Sequence, residues 1–308
     1  MRRKNLSVRA VTSVGQNLPQ DWEEKMASFK IYLEEKKINV ELPHIGNMDE
    51  VPMNFDMPTN RTVDAIGTDD IKIETTGAEK CNFTIILCAT ADGGKCIPMV
   101  IFKRKTMPKE KFPTGIIVKV NEKGWMNEHV FSEWLTEVWG TRKGKGPFDV
   151  KSVLIYDSAK CHLTERSKKA VLKHAEPVVI PGGLTKKLQP LDLSVNKSFK
   201  FHIRHHWENW MISGIHTYTK SGKMRRVAYA EICRWVVESW NSITAECIKN
   251  GFRKGNICSY ENEGSDVEEM EEDESSAETE SSTTEVDRVD YKIDPIPDKS
   301  DYEDFYGF

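Results

Sequence analysis

The sequence predicts an α/β fold in which a mixed β-sheet is flanked by helices. Residues 83–90 form an apolar run with strand-type alternation, and a DGG turn and a second apolar run follow, which indicates a β-hairpin. Residues 150–156 include four consecutive apolar residues directly before an aspartate, which is typical of a buried strand. Apolar residues then recur every fourth position from 195 to 211, which is the spacing of an amphipathic helix.

The first half of the fold begins with a predicted strand at residues 45–49. The two hairpin strands follow at 83–90 and 96–102, and a further strand is predicted at 115–120. Asn127 then predicts a helix start, because an asparagine side chain accepts hydrogen bonds from the unpaired N–H groups of the first turn. The buried side of that helix is predicted to comprise Val130, Phe131, Trp134, Leu135 and Val138.

In the second half, the buried strand is followed by a helix that we predict from Thr164 to Ala175. Residues 177–180 predict a short strand that a PGG turn closes. The long helix over 195–211 comes next, with Asp192 just before it, and another helix is predicted at 227–240.

Composition excludes several protein classes. No apolar run approaches the ~20 residues of a membrane span, and no apolar segment follows the basic N-terminus as a secretory signal would require. We therefore expect no membrane association. The seven cysteines form an odd number without a C-x-x-C pair, which argues against a disulfide framework or a zinc ribbon.

Charge divides the chain into two parts. Residues 261–308 have a net charge of −16, whereas residues 1–260 have a net charge of +12. The acidic segment lacks apolar periodicity, so we predict that it is a disordered tail. The basic part favours a polyanionic partner, of which nucleic acid is the commonest, and a solvated basic surface is the alternative.

Three carboxylates fall where open α/β sheets place functional groups. Asp49 ends the first predicted strand, Asp157 ends the buried strand, and Asp192 precedes the long helix. Carboxylates gathered at such positions repel one another and recruit hard cations such as Mg²⁺ or Mn²⁺. For any one of them alone, a role as a helix cap or turn residue is the alternative.

The same segments resemble a known family. The blocks NMDE, LIYDSAKCH and LQPLD, the last preceded by VIP, resemble the signature blocks of pogo-type transposases, which are DDE superfamily endonucleases of the mariner/pogo group. The 34 residues between Asp157 and Asp192 fit the spacing of that family. The stretches FTIILCATADG, IFKRKTMPK, GWMNEHVFSEWL and ITAECIKNGFRKGNI add to the resemblance, which covers about residues 1–258.

The resemblance implies a ribonuclease-H-like, mixed five-stranded sheet with C-terminal helices, and metal-dependent cutting and joining of DNA. It assigns Asp49, Asp157 and Asp192 as the catalytic, metal-binding triad, which would hold two Mg²⁺ or Mn²⁺ ions. Glu50 is expected to point away from Asp49 on the strand, so we interpret it as structural.

The resemblance also implies a domain organisation. Residues 1–40 correspond to a linker that follows an absent helix-turn-helix region, 41–215 to the catalytic domain, 216–260 to a C-terminal helical extension and 261–308 to the acidic tail. The chain would therefore lack the modules that read transposon ends.

Basic residues near the three carboxylates are candidate DNA contacts, and solvated surface charge is the alternative for each group. One group lies in the loop after the hairpin, a second precedes Asp192, and a third lies on the long helix. The candidates are Lys103, Arg104, Lys105, Lys186, Lys187, Lys197, Lys200 and Arg204. The KRK sequence of the first group could equally be a nuclear localisation signal, and we expect a nuclear protein.

Two histidine-containing segments are less specific. The HIRHH segment, with His202, His205 and His206, has no Glu or Cys at metal-ligand spacing, so zinc is a minor alternative there. Cys161 and His162 follow Asp157 closely and are interpreted as a packed loop, in which His162 could orient substrate or water.

Two functions remain open at this point. The chain is either a DNA endonuclease of the transposase type or a domesticated, catalytically silent DNA-binding or regulatory protein. A homodimer is a further expectation, as is contact of the acidic tail with basic proteins or with the chain's own basic face.

Overall fold

The computed structural model describes residues 18–58, 74–142, 144 and 150–260. The tail that we predict to be disordered, residues 261–308, lies outside the described residues. The strands are β1 (Ile45–Asn54), β2 (Asn82–Thr90), β3 (Met99–Lys103), β4 (Ile117–Asn121), β5 (Val153–Tyr156) and β6 (Glu176–Val179). The helices are α1 (Trp22–Lys37), α2 (Glu128–Glu137), α3 (Lys160–Leu163), α4 (Glu165–Val171), α5 (Thr185–Leu188), α6 (Asn196–Ser213), α7 (Tyr229–Ser242) and α8 (Ala245–Lys254). A π-helical turn (Leu191–Val195) leads directly into α6.

Six strands form one mixed sheet in the order β4-β3-β2-β1-β5-β6. The pairs β1/β2 and β2/β3 are antiparallel, whereas β3/β4, β1/β5 and β5/β6 are parallel. The predicted α/β class is confirmed, but the implied number of five strands is wrong by one. The sixth strand is β4, the segment that the residue pattern predicts at 115–120, and it extends the sheet at its edge.

Helices cover both faces of the sheet. Trp134 of α2 and Trp139 are fully buried on one face, while Phe199 of α6 and Trp240 of α7 are buried on the other. The central strand β2 contributes alternate side chains to each core, and it is therefore apolar at most of its positions. Covering both faces leaves the edges and the strand ends as the places where polar groups meet solvent.

The predicted helix starts agree with the observed caps. Asn127 Oδ1 accepts a hydrogen bond from the Val130 N–H at 2.9 Å, and Thr164 Oγ1 accepts one from the Ser167 N–H at 3.2 Å. The second of these helices, α4, ends at Val171, before the predicted end at residue 175. It ends early because Glu176 already donates its N–H to the Ser152 carbonyl and begins the next strand.

Helix α1 lies within residues 1–40, the range that we predict as a linker. Its Phe29 and Leu33 are buried, and its Tyr32 hydroxyl donates to the Pro177 carbonyl at 3.1 Å. Lys36 also pairs with Glu176 at 2.9 Å. This part of the range is thus packed against β6. None of the described helices is both long enough and apolar enough to cross a membrane.

Candidate functional site

Asp49 and Asp157 lie on neighbouring strands at the same height of the sheet. β1 and β5 run parallel, with Asn47 opposite Ile155. Two residues further along each strand come Asp49 and Asp157, so the continued register brings their backbones side by side. Asp49 is buried with 9% of its surface exposed, and Asp157, directly after the last residue of β5, is partly exposed.

A single amide joins Asp192 to Asp49. Asp192 lies in the π turn at the start of α6, and Asn196 follows one turn later. The Asn196 Nδ2 atom donates to Asp49 Oδ2 at 2.6 Å and to Asp192 Oδ1 at 2.7 Å. Because both oxygens accept from the same nitrogen, the distance between the two carboxylate oxygens cannot exceed the sum of the two hydrogen-bond lengths. π turns are frequent at functional sites, which fits this location.

Two fully buried amides hold the π turn against the sheet. Asn47 donates from Nδ2 to the Ile155 carbonyl at 2.9 Å and accepts at Oδ1 from the Leu191 N–H at 3.1 Å. Gln189 donates from Nε2 to the Met48 carbonyl at 2.8 Å. These bonds connect β1, β5 and the π turn, and they fix the segment that bears Asp192.

Sequence reasoning missed Asn47, Gln189 and Asn196. Asn196 lies four residues after Asp192 on a predicted helix, and residues at that spacing share a helix face. Asn47 and Gln189 lie inside the NMDE and LQPLD blocks, but no role was predicted for them there. The other two amides have contacts that only the folded chain brings together.

The electrostatics of the site favour a bound cation. Burial raises the pKa of Asp49 well above its usual value, and the nearby charges of Asp192 and Asp157 raise it further, while the hydrogen bond from Asn196 acts in the opposite direction. The Asn196 Oδ1 atom is buried and has no hydrogen-bond partner among the described residues. Clustered carboxylates and an unsatisfied amide oxygen are the hard oxygen donors that Mg²⁺ and Mn²⁺ select, so the residues present fit such an ion.

On the other side of Asp157, a buried histidine links two carboxylates. His162 is 1% exposed, and its Nδ1 lies 2.9 Å from Asp157 Oδ1 while its Nε2 lies 3.5 Å from Glu50 Oε1. Burial opposes the charge on His162, but the hydrogen bond to Asp157 holds its pKa well above the usual value. Burial likewise acts to raise the pKa of Asp157, yet the hydrogen bond and the charge from His162 keep it below its usual value. Burial raises the pKa of Glu50.

Glu50 therefore contacts His162, whereas its neighbour Asp49 contacts Asn196. The donor atoms of Glu50, Cys161 and His162 lie within 4.8 Å of one another. His162 Nδ1 already lies within hydrogen-bond distance of Asp157 Oδ1, so this group is positioned to orient a carboxylate of the site.

The basic residues at the end of β3 and directly after it lie two strands away from β1. Lys103 and Lys105 are exposed, and Lys105 lies 3.7 Å from Glu122. Arg104 donates to the Tyr229 hydroxyl at 3.2 Å and lies over the ring of that residue, so part of its role is to pack α7. That group remains a predicted DNA contact.

The basic residues around Asp192 are closer to the carboxylates along the chain. Lys186 and Lys187 are exposed on α5, and Lys187 Nζ lies 4.7 Å from the centre of the Trp22 ring. On α6, Lys197 and Arg204 are exposed and Lys200 is half-buried.

The HIRHH segment lies on α6. His206 lies 3.7 Å from Glu238 and stacks on Trp235 with a ring separation of 6.2 Å. Burial lowers the pKa of His206. These contacts give His206 a packing role between α6 and α7.

Comparison with known proteins gives concordant findings. Residues 80–252 match the family model described as DDE superfamily endonuclease. The chain is 34% identical over 275 residues to a mouse protein named "Pogo transposable element with KRAB domain", and 34% identical over 270 residues to the human protein of the same name. These alignments cover 88% and 87% of this chain but only 45% and 44% of those proteins, so the chain spans less than half the length of these relatives.

Solved structures of a transposase share the fold. The chain resembles the Mos1 transposase paired-end complex with left transposon end, with a TM-score of 0.54 and 13% identity, over 82% of this chain and 65% of that one. It also resembles the mariner Mos1 paired end complex with Mg, with a TM-score of 0.55 and 15% identity, over the same shares of the two chains. At this level of identity the likeness establishes the fold.

Proposed function

Because the chain belongs to the DDE superfamily endonuclease family and is of the pogo transposase type, we propose that it binds DNA and cleaves and joins strands by two-metal phosphoryl transfer. Asp49, Asp157 and Asp192 would hold two Mg²⁺ or Mn²⁺ ions. Such ions lower the pKa of a bound water or hydroxyl nucleophile and stabilise the leaving oxygen.

The main support is the bridge from Asn196 to both Asp49 and Asp192, with Asp157 in register on the next strand. Two of these carboxylates would repel each other in water-poor surroundings, and Asp49 is already hard to ionise. A bound cation offsets the repulsion between clustered carboxylates, so such a cluster is typical of a metal site. The transposon end, the Mn and the Mg in the printed names of the Mos1 complexes agree with this proposal.

Each residue has a distinct part in this proposal. Asp157 keeps its charge at neutral pH through His162, so its free carboxylate oxygen is available to a cation. Asn196 holds the Asp49 and Asp192 oxygens at a fixed separation. The lysines before and after Asp192 would contact the phosphates of the bound strand.

The direct test is nicking of supercoiled plasmid DNA by the purified chain in Mg²⁺ or Mn²⁺. We expect nicking that requires the metal and is lost in Asp157→Asn. Asp21→Asn is the matched control, because Asp21 is an exposed aspartate just before α1 whose partner is Lys25. Cleavage that survives Asp157→Asn would refute the proposed mechanism.

The second candidate is a domesticated, catalytically silent nuclear protein that binds DNA or regulates it. The curated relatives support it, since their names join a pogo element to a KRAB or a ZNF domain, and they extend well beyond the matched region. This candidate predicts DNA binding without metal-dependent nicking. Nuclear accumulation that depends on residues 103–105 would support the nuclear localisation that both candidates share.

A further inference from the structure

The side of α6 that faces away from the sheet combines cationic and aromatic side chains. Lys197, Phe201 and His205 follow one another at four-residue intervals, and Arg204 lies beside them. Phe201 is 63% exposed, and its ring is nearly parallel to that of His205, with 6.5 Å between the ring centres. An exposed aromatic ring among cations is the combination of side chains that surfaces binding single-stranded nucleic acid use.

This face has a strongly positive character. Residues 193–207 contain no Asp or Glu, although they contain Lys197, Lys200 and Arg204. Within the described part of the chain, none of these three side chains takes part in an ion pair. Their charges are therefore available to an anionic partner.

The same face begins at the candidate metal site. Asp192, Asn196 and Lys200 are spaced four residues apart, so they form one row along the π turn and α6. Phe201 is the next residue after Lys200. A polyanion lying along this row would have one end at the three carboxylates.

The chemistry favours an unpaired DNA strand as the occupant. A duplex presents phosphates to the cations but keeps the faces of its bases stacked internally, which leaves Phe201 without a partner. A second protein chain would need to supply both apolar surface and acidic groups. An unpaired strand offers phosphates and free base faces together, which is the combination that single-strand-binding surfaces recognise.

We propose that the exposed face of α6 binds an unpaired DNA strand, with one base stacked on Phe201 and the backbone held by Lys197, Lys200 and Arg204. The inference rests on the proposed function only in taking DNA as the substrate. The inference gives Phe201 a role in selecting an unpaired strand over a duplex. No metal-site residue has that role.

The test measures binding of a fluorescein-labelled oligothymidylate, and of a duplex of the same length, by fluorescence anisotropy in Mg²⁺-free buffer. We expect Phe201→Leu, which keeps an apolar side chain without an aromatic face, to weaken oligothymidylate binding at least about 5-fold and to leave duplex binding unchanged. Phe201→Trp should bind as well as the unaltered chain. Ile212→Ala is the matched control, because Ile212 is 84% exposed on the same helix, and it should have no effect.

Equal oligothymidylate binding by Phe201→Leu and the unaltered chain would overturn the inference. So would a loss of self-association in Phe201→Leu, measured by light scattering, with DNA binding unchanged, because it would show that the face packs against a second copy. The outcome is independent of catalysis: a chain that fails to nick plasmid can still show the Phe201 effect, and a chain that nicks normally can lack it.

Discussion

At Asp49, burial and two neighbouring carboxylates oppose ionisation, while the Asn196 amide favours it. The folded state therefore binds the Asp49 proton more tightly than the unfolded state does. For such a group, stability decreases as the pH rises from the usual aspartate pKa of about 4 through the raised folded value. The site thus reduces stability near neutral pH when no cation is bound.

We predict that Asp49→Asn raises the thermal unfolding temperature of the metal-free chain at pH 7 by a few degrees. The substitution removes the charge but keeps an oxygen that can accept from Asn196. The gain should shrink as the pH falls toward 4, because the wild-type carboxyl then becomes protonated. Thermal scans over this pH range measure both effects, and Asp21→Asn serves as the exposed control.

The same thermal scans also measure metal binding, and this measurement does not depend on catalytic activity. Adding Mn²⁺ should stabilise the unaltered chain and have little effect on Asp49→Asn, because a ligand that binds only the folded state raises its stability. Equal stabilisation of both by Mn²⁺ would contradict the role given to Asp49.

His162 is the second residue whose role can be separated from simple packing. We predict that His162→Ala lowers Mn²⁺ affinity about 10- to 100-fold, because Asp157 loses the donor that orients it. His162→Asn places an amide N–H near the position of Nδ1 and should recover much of the affinity. Calorimetric titration with Mn²⁺ gives the measurement, and similar losses in both variants would indicate a packing role alone.

At the scale of elements, the π turn depends on its contact with α8. The Ser194 hydroxyl donates to the Cys247 carbonyl at 2.7 Å, and Gly251 lies against the turn. A Cβ atom at Gly251 would clash with the Pro190 carbonyl oxygen and would come within 2.6 Å of Ser194 Oγ. The glycine is therefore required for the close approach of the helix to the segment that bears Asp192.

We predict that Gly251→Ala destabilises the fold by about 1–3 kcal/mol, the usual cost of overpacking, despite the higher helix propensity of alanine. Lys254→Ala is the control on the same helix, since Lys254 is exposed and should change stability by only a few tenths of a kcal/mol. Urea denaturation measures both, and a stabilised Gly251→Ala would show that α8 can move away from the turn at little cost.

At the scale of the whole molecule, the chain has a net charge of −4 that divides into +12 for residues 1–260 and −16 for residues 261–308. Removal of residues 261–308 should strengthen DNA binding about 10-fold at low salt, because an acidic segment repels phosphates. The gain should largely disappear above ~0.5 M salt, where charges are screened within a few ångströms.

The control for this prediction is a chain of full length in which the acidic residues of 261–308 are replaced by their amides. It should bind DNA as tightly as the truncated chain does. Unchanged affinity of the truncated chain at low salt would show that the tail charge has no influence on binding.

Local patterns predicted much of this molecule. The alternation in β2, the caps at Asn127 and Thr164 and the periodicity of α6 identified elements that the structure confirms, because each depends on residues that are close along the chain. Helix α1 was not predicted, although Trp22, Met26, Phe29 and Leu33 have the spacing of one helix face and pack into the core.

The sequence by itself determined the α/β class and the chemical identity of the three carboxylates, because periodicity and residue type are local properties. It placed Asp49 at the end of the first strand, whereas β1 continues to Asn54 and Asp49 lies in its middle. Only the tertiary structure decided that Asn196 bridges Asp49 and Asp192, that His162 links Asp157 to Glu50, and that the Phe201 face of α6 is left open. Those features depend on contacts between residues far apart in the chain, and on which helix face the rest of the fold leaves uncovered. Neither is encoded in any short stretch of sequence.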